Sequence, residues 1–137
     1  MKLIGETVGV ILDSNALFVP LQFKIDIFND LKILLNRNFE LILLSPVKRE
    51  LETLAEKGSP KMRKNASYAL KLAEKCRYIE IAASDSEPTD NLIVKIAKEW
   101  RFPVFTNDKQ LGKRLRDINV PVIYVRQKSR LEIDGMI

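Results

Sequence analysis

The stretch Val8-Gly9-Val10-Ile11-Leu12-Asp13-Ser14-Asn15 decides the fold. From Val8 to Leu12 it is a nearly continuous apolar run, rich in β-branched residues, and it stops abruptly at an acid followed by two small polar residues. A strand with one wet face alternates apolar and polar side chains, whereas a run without alternation belongs to a strand covered on both faces. Similar runs recur at Phe39 to Leu44, Tyr78 to Ala82, Pro103 to Phe105 and Val120 to Val125. Between them, segments with helical spacing cover Ile25 to Leu35, Val47 to Ala55, Met62 to Lys75, Asp90 to Trp100 and Asp108 to Arg116. This alternation predicts a three-layer α/β/α domain over residues 1–137, with a mainly parallel central sheet of about five strands.

Punctuation supports these boundaries. Ser45 before Pro46 reads as an N-cap and first helical position, Gly58-Ser59-Pro60 separates two helices, and Thr89 is placed to cap the next one. The polar stretch Ser84 to Thr89 reads as a loop, and the charged tail after Val125 gives no clear element.

Composition narrows the functional classes. The chain has 137 residues, 46% of them hydrophobic, enough for one core without disulfide or metal staples. Its 23 Lys and Arg against 18 Asp and Glu leave a charge of +5, which favours a polyanionic partner without naming it. Cys76 is the only cysteine, so disulfide frameworks and cysteine-based zinc sites are excluded, and a reduced, cytoplasmic setting is expected. The first apolar stretch is too short for a membrane span or a secretory h-region, so no membrane association is expected.

In open α/β sheets, ligands bind beyond the carboxyl ends of the strands. Asp13 directly follows the first strand, and Asp108 follows the fourth in the segment Thr106-Asn107-Asp108. Glu50 lies at the edge of the helical stripe Val47, Leu51, Leu54 and Ala55, and Asp90 flanks the stripe of Leu92, Ile93, Ile96, Ala97 and Trp100. Singly, an acid at a helix start is explained by capping and the helix dipole, worth roughly 0.3 to 1 kcal/mol. Together, like charges about 4 Å apart repel by something near 4 kcal/mol per pair at an effective dielectric of 20, so a converged cluster needs a cation. Oxygen-only ligands select hard ions such as Mg²⁺ or Mn²⁺, and the absence of histidine removes the usual zinc ligand and general base.

These residues resemble a known family. Val-Ile-Leu-Asp13-Ser14-Asn15, Glu50 after a strand, Asp90-Asn-Leu-Ile-Val-Lys-Ile-Ala97 and Thr106-Asn107-Asp108-Lys-Gln-Leu111 look like the acidic positions of PIN domains, in the family's order and over essentially the whole chain. The resemblance implies a parallel sheet with Asp13, Glu50, Asp90 and Asp108 at one end, Mg²⁺- or Mn²⁺-dependent endonucleolytic cleavage of RNA, and frequently a homodimer. It also implies that Ser14 and Asn15 form the family's small polar pair and that Thr106 holds its hydroxyl position, with Asn107 beside it. Where many relatives have paired acids this chain has Asp90-Asn91, so Asp85 or Glu87 is a possible substitute for the third position. The stretch from Thr106 to Ile133 resembles the branch related to small-subunit ribosomal RNA processing more than the toxin branch, and the cysteines of zinc-ribbon siblings are lacking.

Cations near Asp108 are the expected RNA contacts: Lys109, Lys113, Arg114 and Arg116 on its helix, with Arg126, Lys128 and Arg130 in the tail. Each is equally explained as part of a solvated face. Two other enzyme classes fit poorly. A haloacid-dehalogenase-type phosphatase needs a second aspartate where this chain has Asn15, and a receiver domain needs paired acids at the first strand. The remaining alternatives are a non-catalytic RNA-binding module and a ribonuclease toxin held by an antitoxin.

Overall fold

A computed structural model describes residues 7–82 and 86–137. Asp85, the possible substitute for Asp90, lies outside the described residues, as does Ser84. The elements follow the order β1 (Val8–Leu12), a 3-10 turn (Ser14–Phe18), α1 (Val19–Phe23), α2 (Ile27–Leu35), β2 (Phe39–Leu44), α3 (Ser45–Lys57), α4 (Pro60–Ala73), β3 (Arg77–Ile79), α5 (Thr89–Trp100), β4 (Val104–Phe105), α6 (Lys109–Asp117), β5 (Val122–Arg126) and β6 (Arg130–Asp134).

The sheet has six strands in the order β3-β2-β1-β4-β5-β6. All neighbours are parallel except β5 and β6, which form an antiparallel hairpin. The three-layer α/β/α expectation is met. The sheet is one strand wider than expected because the tail after Val125 turns back: Arg130-Leu-Glu-Ile-Asp134 alternates charged and apolar residues, as an edge strand does. β3 is shorter than expected, three exposed or half-buried residues at the opposite edge.

The chain starts in the middle of the sheet. It winds outward through β2 and β3, then crosses back to place β4 on the other side of β1. The carboxyl ends of β1 and β4 therefore flank a topological switch point, where a crevice opens. β1 is buried along its whole length, as its unbroken apolar run required. Helices α3 and α4 pack as a pair, α2 covers β6, and α5 packs with α6, which lies against β5. One continuous core joins Ile11, Leu12, Leu31, Ile42, Leu51, Ile93, Phe105, Leu111 and Ile123.

Two expected caps differ. Ser45 is the first residue of α3 and Leu44 holds the cap position. Ser45 is fully buried, and its hydroxyl accepts from the Ile81 backbone N–H at 3.0 Å, which pins the chain leaving β3 against the start of α3. Thr89 likewise sits inside α5, with Pro88 at the cap position and no side-chain capping bond. Ser59 does cap α4, accepting from Met62 N–H at 3.2 Å. Cys76 is half-buried, and burial pushes its thiol up to about 12, consistent with a packing role.

Gly9 fits β1 to its neighbours. A Cβ there would lie 2.7 Å from both the Ile42 Cδ1 methyl and the Phe102 ring. Gly9→Ala should therefore overpack the layer and lower stability by about 1–3 kcal/mol in urea unfolding. A variant as stable as the wild type would show that Phe102 yields freely.

Candidate active site

The site begins with strand register. β1 and β4 are adjacent and pair Leu12 with Phe105, so the next residues, Asp13 and Thr106, emerge side by side. The backbone extends this order, with Asp13 N–H donating to Phe105 O at 3.1 Å and Thr106 N–H to Ile123 O at 3.0 Å. The Thr106 hydroxyl then donates to Asp13 Oδ2 at 2.8 Å.

Asp13 is only 5% exposed, and three donors hold it there. Besides Thr106, Asn15 Nδ2 donates to Oδ2 at 2.9 Å and Ser14 N–H to Oδ1 at 2.7 Å. The network continues outward. Asn15 Oδ1 accepts from Asn107 N–H at 2.9 Å, Thr106 Oγ1 accepts from Asp108 N–H at 3.0 Å, and Asn107 Oδ1 accepts from Val125 N–H at 2.9 Å. Ser14, Asn15, Thr106 and Asn107 thus tie the loops after β1 and β4 to each other and to β5. Ser14 takes part through its backbone N–H.

The acids stand at the starts of three helical elements and on one helix face. Asp13 caps the 3-10 turn, Asp108 caps α6 by accepting from Leu111 N–H at 3.0 Å, and Asp90 lies in the first turn of α5. Glu50 is exposed on α3. The capping explanation therefore holds for Asp13 and Asp108, and it does not exclude a second role.

Electrostatics link the acids. The Asp13 carboxyl is held above its ordinary value of 3.8, chiefly by burial, against the pull of Thr106 and Ser14 and with added repulsion from Asp90 and Glu50. Asp90 is also raised, first by burial and then by Asp108 and Glu50, while Arg114 pulls the other way. Asp13, Glu50, Asp90 and Asp108 therefore share one electrostatic neighbourhood. Among the described residues, however, no three carboxylates are close enough to form a ready-made metal cage. Asp108 Oδ1 is turned to its cap, and like charges repel at close range. The donor set, carboxylate oxygens backed by a hydroxyl and amides, suits a hard divalent ion.

The expected RNA contacts divide. Arg114 is near enough to Asp90 to act on its charge. Lys113 pairs with Asp117 at 2.9 Å, Arg116 with Asp134 at 3.7 Å, and Arg126 and Arg130 both reach Glu132 at 3.0 and 3.5 Å. Lys109 and Lys128 line a cleft of about 780 Å³ that continues from Thr106 and Asp108 over α6 and the β5–β6 hairpin. Tyr124 and Phe23 also line it. The alternation of β5, which turns Tyr124 the same way as Val122, was the available signal for the first; Phe23 ends a helix the sequence does not advertise.

The sign of the pH effect follows from the raised acids. Between 3.8 and their higher folded-state values, the folded chain keeps protons that the unfolded chain has lost, so stability falls as pH rises through that window. Without divalent metal, Asp13→Asn should match or exceed wild-type stability at neutral pH, and the difference should shrink as the pH is lowered and the wild-type carboxyl protonates. Thermal melts across pH check this; an Asn variant much weaker at neutral pH than in acid would contradict it.

Comparison with known proteins agrees with this architecture. Residues 10–128 match the family described as a PIN-like domain. The chain is 35% identical to Ribonuclease VapC4 of Methanocaldococcus jannaschii over 93% of its length and 98% of that protein. It is 29% identical to Ribonuclease VapC9 of Archaeoglobus fulgidus, over 90% of this chain and 87% of that protein. Among solved structures, the PIN domain endonuclease Utp24 superposes with a TM-score of 0.76 at 26% identity, covering 94% of this chain and 92% of that one. A structure of VapBC2 from Rickettsia felis bound to a promoter DNA fragment shares the fold, with a TM-score of 0.64 at 19% identity over 87% of this chain and all of the matched one. The register that joins Asp13 to Thr106 is thus set in a fold shared with these proteins, and the chain belongs to the PIN-like domain family.

Proposed function

We propose that this chain is an endoribonuclease that cuts RNA phosphodiester bonds with Mg²⁺ or Mn²⁺ held by Asp13, Glu50, Asp90 and Asp108. The observation that supports this most strongly is the buried Asp13 carboxylate, fixed by three donors in the field of further acids. Such an arrangement destabilises the metal-free fold near neutral pH and is relieved by a divalent cation. The relatives named as ribonucleases and the PIN endonuclease of similar structure support the same activity.

Asp13 and Asp108 are the acids assigned to the ion beside the scissile phosphate, and Glu50 and Asp90 are assigned to orienting water around it or to a second, weaker site. Bound there, a divalent ion supplies a water of lowered pKa and offsets charge building on the phosphorus oxygens. The other residues act by position. Thr106 donates a hydrogen bond to Asp13 and accepts one from the Asp108 N–H, so one hydroxyl sets both acidic segments. Asn15 and Asn107 keep the two loops from parting. Lys109 and Lys128, on the adjoining cleft, are placed to hold phosphates on one side of the cut.

Two branches of substrate are open to this site. The resemblance of Thr106 to Ile133 to ribosomal RNA processing factors supports a structured ribosomal RNA precursor. The other reading is a ribonuclease toxin held by an antitoxin, and the near-full-length relation to Ribonuclease VapC4 supports the ribonuclease activity it requires. Mapping new RNA ends, alongside recovery of a tightly bound small partner from the native host, separates them.

Asp13→Asn should lower Mn²⁺-dependent cutting of single-stranded RNA by well over about 100-fold, while the fold is kept. Thr106→Val, which removes the link between the acidic segments, should cost about 10- to 100-fold and regain part of its activity at higher Mn²⁺. Wild-type rates in both variants would remove the mechanism, and an inactive wild type that still binds RNA would favour the non-catalytic module.

A further inference from the structure

The positive charge of this protein is not spread over its surface. Of the 23 Lys and Arg and 18 Asp and Glu, seven and one respectively fall between Lys57 and Arg77, which leaves 16 and 17 for the rest of the chain. The stretch from Lys109 to Arg130 has the same count, seven to one, so what sets α4 apart is pairing and not number. The cations expected to meet RNA around α6 and the β5–β6 hairpin are largely matched by nearby acids.

On α4 the cations form a line. Ala66, Ala69 and Ala73 are buried against the domain. On the opposite face, Lys61, Lys64, Tyr68, Lys71 and Lys75 recur at intervals of three and four residues, all of them exposed. From Lys61 to Lys71 the row runs about 15 Å along the axis at 1.5 Å per residue, and Lys75 follows just past the end of the helix. Tyr68, at its centre, is 44% exposed. Among the described residues no ion pair involves Lys61, Arg63, Lys64 or Lys71, and Lys75 leans over the Phe28 ring at 5.5 Å. Unpaired lysines so close together repel one another, and a polyanion laid along them relieves that repulsion while releasing its own counterions.

We propose that this face of α4 is a second RNA-docking track, which holds the phosphate backbone of the substrate away from the cleaved bond, with Tyr68 stacking on a base. The proposal rests on the endoribonuclease reading for its choice of polyanion. Aromatic and cationic side chains interleaved on one face suit single-stranded nucleic acid, where stacking tolerates any sequence. A lipid surface would require apolar side chains along the same face, and this row offers Tyr68 alone. The track is joined to the site through the fold: α4 packs on α3, which carries Glu50, and on the 3-10 turn that Asp13 caps. RNA held on α4 is thereby held at a set distance from the acids.

The test measures binding rather than cutting, in the full-length Asp13→Asn background, by fluorescence anisotropy with a 5-nucleotide and a 30-nucleotide single-stranded RNA. Replacing Lys61, Lys64 and Lys71 together by Gln should weaken binding of the longer RNA by about tenfold and reduce the slope of log affinity against log salt by about 2. The 5-mer should change by less than twofold. A control removing equal charge elsewhere, Lys32, Lys95 and Lys98 to Gln, should leave both affinities nearly unchanged, and Tyr68→Ala should weaken the 30-mer without altering the salt slope. Equal losses in the two triple variants, equal losses for short and long RNA, or no RNA binding by the parent would overturn the track. So would a loss confined to anionic vesicles or polyglutamate. Absence of Mn²⁺-dependent cleavage by the wild-type chain, with the lysine-dependent binding intact, would count against the nuclease reading alone.

Discussion

Two parallel strands ending in register put a carboxylate and a hydroxyl 2.8 Å apart in a nearly dry place, and the rest of the site is arranged around that contact. Asp13 and Thr106 follow the paired residues Leu12 and Phe105, so their meeting is a property of the β1–β4 ladder. From Thr106 the order passes to the Asp108 backbone, and from Asn15 to Asn107 and on to β5. Polar side chains that would be costly to bury alone are satisfied by one another. Loops that carry chemistry are thereby held by a rigid sheet rather than by their own preferences.

Around this contact the fold tolerates an unfavourable concentration of acids. Part of the compensation is local: Asp13 and Asp108 each accept backbone N–H groups at the start of a helical element, and Asp90 lies where the α5 dipole favours negative charge. Those terms are about 1 kcal/mol each, smaller than the repulsion of fully converged carboxylates at close range. The acids accordingly sit within each other's field without closing into a cage. Capping thus accounts for where Asp13 and Asp108 stand, and their burial and mutual repulsion are what capping alone leaves unexplained.

Charge is separated on a larger scale as well. Asp13 and Asp108 lie at the switch point, while α4 carries Lys61, Lys64 and Lys71, which form no ion pair among the described residues. Two fields of opposite sign on one small domain can draw a polyanion to the protein while keeping a negative potential around Asp13. α6 shows why sequence proximity misleads here. Its cations look like partners for RNA because they neighbour Asp108, but Asp117 on the same helix pairs Lys113, and folding brings Asp134 to Arg116 and Glu132 to Arg126 and Arg130.

How much was legible depended on the range of the interaction. Unbroken apolar runs, helical stripes and the acids after Leu12 and Phe105 are local patterns, set by which faces a strand or helix must bury, and they already specified the layers and the candidate acids. The 3-10 turn and α1, between Ser14 and Phe23, escaped because five-residue pieces show no full period. β6 escaped because its charged, alternating residues make sense only as the edge of a hairpin. Tertiary structure alone decided that Ser45 serves Ile81, 36 positions away, that Thr106 serves Asp13 across 93, and that Arg116 meets Asp134. Such partners are chosen by strand order and register, and no window of neighbouring residues contains that information.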